Sequence, residues 1–520
     1  MNLFIVKKSK CMKKNILLII SLIFIQFSIS QEKNVPEKKI QKGFGKIDFM
    51  SLGLPENDPN MGFSGIHYNI FLKDWAYTGL GIYGAVSGNK GGFFTLGFNA
   101  GIKKFITNNV YTDIGFHYGG GGGASAPDGG GAFFLPHVNL GYQFKNFSLN
   151  TGWSYVNFFD GGAIKCNQVN IALEIPLDFD YTNYKSSEST FDFKTLENSD
   201  WNILSKKTSL LMHFNNLKIR GNAQNTNVQI FGEATISLAG FEFANYFTKN
   251  WFGFVKVDGA YDGIKAGYMD VFLGGGYHFS FNKNRTNILT KFGLGAGGGG
   301  GVDSKGGFLL YPDFSVEQQI FYDIFIAINK GYILSPDAHF YTSSLGFGLK
   351  YYIERNGIIA NEKSFSLGKF KGLEVITKHD IYFNAERDSN PTEDLNQFSL
   401  QINLNLNKNL YIAGQTSFAI FGNAGAYAEG IVGLGIKTNS LFNKKTTVFI
   451  QALGGAAGGG DISTGKGLII KPSAGFEYQL NNTLSFRTEA GYIKAKGGSL
   501  SSSLFSFGIN YHISFLKMNH

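Results

Sequence analysis

A run of five glycines, Gly119-Gly120-Gly121-Gly122-Gly123, returns as Gly297 to Gly301 and again, degenerate, as Gly454-Gly455-Ala456-Ala457-Gly458-Gly459-Gly460. Each copy is followed by a second glycine group, an apolar run, a proline and a strand-like stretch: FFLPHVNLGYQF, LLYPDFSVEQQI and IIKPSAGFEYQL. The aligned prolines, Pro136, Pro312 and Pro472, are 176 and 160 residues apart. Upstream, turns opening on Lys73, Lys249 and Lys408 keep offsets of 176 and 159. Two independent landmarks with one offset make this a threefold internal repeat, which limits the chain to architectures built from three like units.

The N-terminus has the layout of an export signal over residues 1–30. Lys13-Lys14 precede the apolar run Ile16 to Phe27, then Ser28-Ile29-Ser30-Gln31, a small-residue cleavage region, with Met12 an alternative start. Cleavage removes lysines 7, 8, 10, 13 and 14 and no acid, taking the net charge from +9 to +4. That bias is too weak for a nucleic-acid partner. Cys11 lies before the apolar run, and Cys166 alone remains after it, so neither an intramolecular disulfide nor a cysteine metal site is expected.

Beyond the signal there is no run of eighteen apolar residues, and a membrane helix is not expected. Yet the chain holds 69 Gly, 51 Phe and 25 Tyr with only 16% charged residues, an odd balance for a soluble protein. A sheet with an apolar outer face and a polar inner face would have this average.

Alternation of period two supplies those faces. In the last strand Phe505, Phe507, Ile509, Tyr511, Ile513 and Phe515 share one side, and Ser506, Gly508, Asn510, His512 and Ser514 the other. The same pattern gives about eight strands in repeat 1 (43–178), and repeats 2 (208–353) and 3 (371–515) parse alike. Segments 31–42, 179–207 and 354–370 are left as N-terminal segment and linkers, and 516–520 as a tail. Short polar turns, such as Lys73-Asp74, Lys145-Asn146 and Asn481-Asn482, alternate with longer glycine-rich loops such as 118–132, 296–307 and 454–467. A transmembrane barrel keeps its short turns on the periplasmic side and its longer loops outside, and the parity is consistent throughout. It puts 31–42 and both linkers in the periplasm.

The predicted fold is therefore all-β, a transmembrane antiparallel β-barrel of three tandem eight-strand repeats. Two closures are open: one barrel of about 24 strands, or three linked eight-stranded barrels. Inward positions in repeat 1, including Asn99, Gly101, Gly115, Asn139, Gly141 and Gly152, are mostly small and uncharged. An eight-stranded lumen is just filled by side chains, and paired Arg and Glu would be expected there, so this reading favours the single wide barrel. The long linkers, and the like endings LGFGLKYYI and FSFGINYHI of repeats 2 and 3, favour the three narrow ones.

The glycine runs lack the lysine and Ser/Thr of a phosphate loop and no helix pattern follows them. At a loop or kinked strand end, glycine allows positive φ and close backbone approach. A sharper reading folds three hairpins inward to narrow a pore, marked by Gly119, Gly121, Gly123, Gly297, Gly299, Gly301, Gly454, Gly458 and Gly460. Asp113 and His117 lie four apart on one strand face with His137 on the next, but no nucleophile accompanies them. Neither a Gly-x-Ser-x-Gly elbow nor a His-Glu-x-x-His site is present. Catalytic, cofactor and metal sites are thus not expected. Asp113, His117, His137, Asn139, Lys256, Lys291, Arg487 and Glu489 read as lumen-facing, and lumen charge would set solute preference.

Together, the export signal, aromatic alternation, turn parity and near-terminal Phe515 resemble bacterial outer-membrane β-barrel proteins as a class, over essentially the whole mature chain. That resemblance implies Gram-negative origin, outer-membrane lipid as surroundings, and export and barrel-assembly machinery as partners during biogenesis. Tyr511, Ile513 and Phe515 would form the C-terminal β-signal. It implies, first, a porin-like channel for passive passage of small polar solutes. The competing class is a non-enzymatic structural or assembly scaffold with closed or plugged barrels and glycine-rich surface loops. A surface enzyme acting on lipid or peptide ranks third.

Overall fold

The computed structural model describes residues 34–201, 206–221, 223–225, 227, 230, 234–338, 340–355, 366–441 and 445–519. The segment 1–30 read as an export signal, positions 356–365 of the second linker and His520 lie outside the described residues.

After a short strand β1 (Lys39–Gln41), the first eight-strand set opens with β2 (Gly43–Leu52), β3 (Met61–Lys73), β4 (Ala76–Ser87) and β5 (Phe94–Phe105). It continues with β6 (Val110–Gly122), β7 (Phe133–Gln143), β8 (Ser148–Phe158) and β9 (Lys165–Pro176). The linker carries β10 (Phe179–Asn183), β11 (Thr190–Asp192) and a short helix α1 (Phe193–Glu197). The second set is β12 (Lys206–Ile219), β13 (Thr235–Tyr246), β14 (Trp251–Asp262) and β15 (Met269–Phe281). Its other half is β16 (Thr286–Gly298), β17 (Phe308–Phe321), β18 (Ile324–Leu334) and β19 (Tyr341–Arg355). The third comprises β20 (Leu367–Ala385), β21 (Glu393–Asn405), β22 (Leu410–Phe421) and β23 (Ala428–Lys437). It ends with β24 (Thr446–Gly458), β25 (Leu468–Gln479), β26 (Leu484–Ala495) and β27 (Ser501–Asn519).

Each set is an antiparallel meander whose first strand pairs with its eighth. β2 meets β9 from Phe44↔Pro176 to Met50↔Asn170, β12 meets β19, and β20 meets β27 from Leu367↔Asn519 to Tyr382↔Leu504. The result is three closed eight-stranded barrels. The single sheet of about 24 strands that small inward residues favour is not formed by these pairings. The reason lies in what those small residues face. A Cβ on Gly141 would lie 2.2 Å from the Tyr111 ring, and one on Gly435 2.1 Å from the Tyr411 ring. The glycines make room for tyrosines that fill a narrow lumen, where the sequence suggested open water.

Outward positions form an apolar belt. Ile114, Leu140, Trp153, Val169, Ile171 and Phe347 are among many large apolar side chains that stay exposed. Among the described residues no helix is long and apolar enough to cross a membrane. Each barrel is built of strands of ten residues or more, long enough to span a bilayer when tilted.

The aligned prolines share one local device. β7 pairs with β8 at Phe134↔Asn157 and resumes at His137↔Ser154; β17 and β25 skip the equivalent two residues, ending with Pro312 and Pro472. Each proline, lacking an N–H, thus stands where the ladder to the next strand is already interrupted.

The barrels pack in a ring. β4 lies against β16 and β17, β14 against β23 and β24, and β22 against β5 and β6. In barrel order, the third strand of each unit meets the fifth strand of the next, a head-to-tail contact that closes after three, a pseudo-threefold axis. On that axis Phe94 and Leu96 of the first barrel, Val271 and Ala296 of the second and Phe418 of the third form one buried apolar cluster. The glycine runs are what let the walls approach. A Cβ on Gly120 would sit 2.1 Å from the Ala419 carbonyl oxygen, and one on Gly92 2.4 Å from the Gly299 nitrogen. At the remaining junction Gly458 abuts Gly267. Gly91 N donates to Lys305 O at 2.5 Å and Gly425 N to Gly129 O at 3.2 Å, while Lys466 pairs with Asp262 at 2.9 Å. The hairpins therefore brace neighbouring barrels and do not constrict one pore.

β27 runs to Asn519, so Leu516 to Asn519 belong to the closing strand and not to a tail; its partner β20 is equally long. Both project beyond their neighbours, and there the linker adds β10 along β27 and β11 along β20. Ile513 and Phe515, read as part of a C-terminal signal, are buried in this region.

The Gly120→Val substitution should force the first and third barrels apart, costing about 1–3 kcal/mol as overpacking does. Thermal unfolding of the full chain in detergent should show the loss, whereas Gly430→Val, whose Cβ meets nothing within 4 Å, should leave the transition in place.

Candidate functional site

The lumens are the natural candidate, because alternation aims every second side chain into them. Each has two zones. The loop end of the first barrel is a dry cluster including Leu52, Met61, Phe63, Phe93, Phe133 and Phe158. The second and third barrels carry equivalent apolar clusters, centred on residues such as Leu238, Phe272 and Leu309, and Leu395, Ile469 and Leu504. Toward the short-turn end the filling becomes polar.

In the first barrel Asp48 accepts from Tyr83 Oη at 2.8 Å and lies 3.3 Å from His67 Nε2 and 3.6 Å from Lys46 Nζ. Lys103 pairs with Glu174, which also accepts from Tyr111 and Asn150. Asp113 accepts from Tyr77 at 2.8 Å and sits 3.4 Å from His137. The acid and His137 are brought together; His117 is not part of that group. Its Nδ1 meets Asn99 Oδ1 at 2.5 Å and its ring stacks on Phe133. Asn139 donates to Asn150.

Charge is denser in the other two lumens. Lys256 pairs with Asp258 and, at 3.5 Å, with Asp270; His213 joins Asp258 at 2.5 Å. Lys291 bridges Glu242 at 2.7 Å and Asp313 at 3.1 Å, and Lys350 meets Glu317 at 2.7 Å. In the third barrel Lys471 bridges Asp380 at 2.6 Å and Glu429 at 3.1 Å. Lys378 pairs with Glu489, which Arg487 holds at 3.1 Å while also reaching Glu477 and lying 3.5 Å over the Phe449 ring. Sequence reasoning placed Lys256, Lys291, Arg487 and Glu489 toward a lumen but missed Asp380, Lys378, Glu429 and Lys471. The signal was present: Glu374, Lys378 and Asp380 recur at even spacing on one strand.

Tyr184 closes the turn end of the third barrel. It comes from the linker, and its hydroxyl meets Glu374, Asn405 and Lys437, with its ring 5.0 Å from that of His512.

Exposure decides what the lumens are. Side chains lining a water-filled pore are wetted, yet Asp113, Asp270, Asp380 and Gln401 are 0% exposed and Lys256, Lys350 and Lys471 1%. Charges removed from water to this degree persist only when paired, which is how they are found. The Asp113–His137–Tyr77 set is enclosed as well. Among the described residues no group of three or more His, Cys, Asp or Glu is placed to hold a metal ion.

The loops hold one group of different character. Asp128, between β6 and β7, accepts from the Gly123 N–H at 2.7 Å and is 8% exposed. Burial pushes its carboxyl up to about 7, with the Gly123 and Asp128 N–H groups and Lys90 opposing.

No family model matches the chain, and no curated protein matches it. Solved structures of similar extent include OpdQ from Pseudomonas aeruginosa, 8% identical, covering 93% of this chain and 100% of that one with a TM-score of 0.22. A ferric enterobactin receptor mutant from the same organism is 7% identical over 90% of this chain and 80% of that one, TM-score 0.28. The siderophore receptor PirA from Acinetobacter baumannii is 7% identical over 92% and 81%, TM-score 0.28. The strand pairings above, and not this likeness, define the fold.

Two outcomes follow. Lys471→Met leaves Glu429 buried without its cation and Asp380 with Lys378 alone, 3.7 Å away, and should cost about 3–5 kcal/mol; adding Asp380→Asn and Glu429→Gln should recover most of it, as read by chemical unfolding. For Asp128 the raised folded value means that protonation favours the folded loops. Loop stability should be greatest at acidic pH, fall as pH rises from about 4 to 7, and level off above. Hydrogen exchange at the amides of 121–131 should report that slope, and Asp128→Asn should flatten it.

Proposed function

We propose that this chain is an integral outer-membrane protein whose three sealed barrels act as one non-enzymatic platform, presenting a shared rim of glycine-rich loops to partners outside. The observation that carries this reading is the closure of the lumens: inward acids, amides and lysines with almost no accessible surface. The apolar outer belt supports a lipid environment. The head-to-tail ring supports a single rigid unit over three independent pores.

Passive passage of small polar solutes, the reading that the sequence favours, is the second reading. The polar turn-end half of each lumen supports it, while the aromatic cluster at the loop end would have to move before anything passed.

Single-channel recording in a planar bilayer separates the two. The platform reading expects no steady conductance from the full chain, and none from Tyr184→Ala, because the ion-paired layers of the third barrel remain behind the missing ring. A large, steady conductance from the full chain would overturn it in favour of transport.

A further inference from the structure

Between the second and third barrels the walls touch near the loop end, where Gly458 abuts Gly267, and again at the short-turn end, where Arg355 of β19 pairs with Lys517 of β27. Between these contacts they leave a cavity of about 710 Å³, walled by outward-facing Leu210, Met212, Leu349, Ile412 and Phe515, a volume in the range that holds a small-molecule ligand. At its turn end stand Lys369, Lys371 and Lys517.

Their placement is unusual. Lys369 and Lys517 are direct cross-strand partners on β20 and β27, and like charges directly opposite one another destabilise a sheet. Among the described residues two acids meet the three lysines: Glu188 meets Lys369 at 2.5 Å and Lys371 at 3.2 Å, and Asp323 meets Lys517 at 2.6 Å. Counted over the described residues, three lysines face two acids at the end of an apolar slot. Such an arrangement complements a molecule with one anionic head and a hydrocarbon body.

We infer that this groove is a binding site for one anionic glycerophospholipid, its phosphate among Lys369, Lys371 and Lys517 and an acyl chain along Leu349 and Ile412. The site rests on the membrane reading above and adds a specific lipid to it. A bound lipid would relieve the repulsion between Lys369 and Lys517 and fill the cavity between the two barrels. The occupant acts as a third surface between them.

Native mass spectrometry of the full chain, released from detergent after addition of phosphatidylglycerol or of phosphatidylcholine with the same acyl chains, tests this directly. Insertion into vesicles and heat-modifiable migration are measured first on every variant. The expected result is one retained phosphatidylglycerol, favoured over phosphatidylcholine by about tenfold or more, as two or three lysines near an anionic head supply. The double variant Lys369→Gln with Lys517→Gln should lose that preference, and Ile412→Trp, which fills the slot without touching a charge, should lose retention of both lipids. Equal retention of the two lipids, or an unchanged preference in the double variant, would overturn the site while leaving the membrane reading intact. A native chain that does not insert into vesicles would overturn the membrane reading and the site together.

Discussion

Eight strands enclose a cylinder that side chains just fill, and most of what is unusual in this molecule follows from that volume limit. With no room for bulk water, an inward carboxylate cannot be solvated and must meet a cation across the lumen. The three barrels meet this condition with different chemistry. The first relies on His, Asn and Tyr around a few charges; the second uses separate lysine-centred groups; the third runs a nearly continuous chain of Lys, Arg, Asp and Glu. Where a tyrosine crosses the lumen, a glycine opposite gives up its side chain, as at Gly141 and Gly435.

The second constraint acts outside the cylinders. In the lipid setting proposed above, apolar walls gain little from hydrophobic association, since hydrocarbon surrounds them either way, and close van der Waals packing has to supply the attraction. Glycine provides the closest approach available to a polypeptide. The runs therefore sit where one barrel's fifth strand meets the third strand of its neighbour, and the axial cluster of Phe94, Leu96, Val271, Ala296 and Phe418 seals the centre.

Much of this was legible in the sequence, but unevenly. Alternation in Phe505 to Phe515 identified the faces, the offset of Pro136, Pro312 and Pro472 identified the copies, and turn parity identified the ends. Pairing across space was not legible, because period two assigns a face and never a partner: Lys378 finds Glu489 at 111 residues' separation and Lys437 finds Glu374 at 63. Gly120 touches Ala419 through the wall of another barrel, which no local pattern announces. The misreading of small inward residues as a wide lumen has the same origin. A glycine records that space is needed without recording whether water or a tyrosine takes it.

The head-to-tail ring has a consequence for how such a molecule changes over time. In an assembly of three identical chains, one codon alters all three interfaces and all three interiors at once, so a harmful change is tripled. Here the three units share one chain, and each junction and each interior is written separately. A substitution at Gly120 is felt at one seam only. Fusion thus frees every unit to drift on its own, which accounts for three interiors so unlike one another inside walls built to one plan.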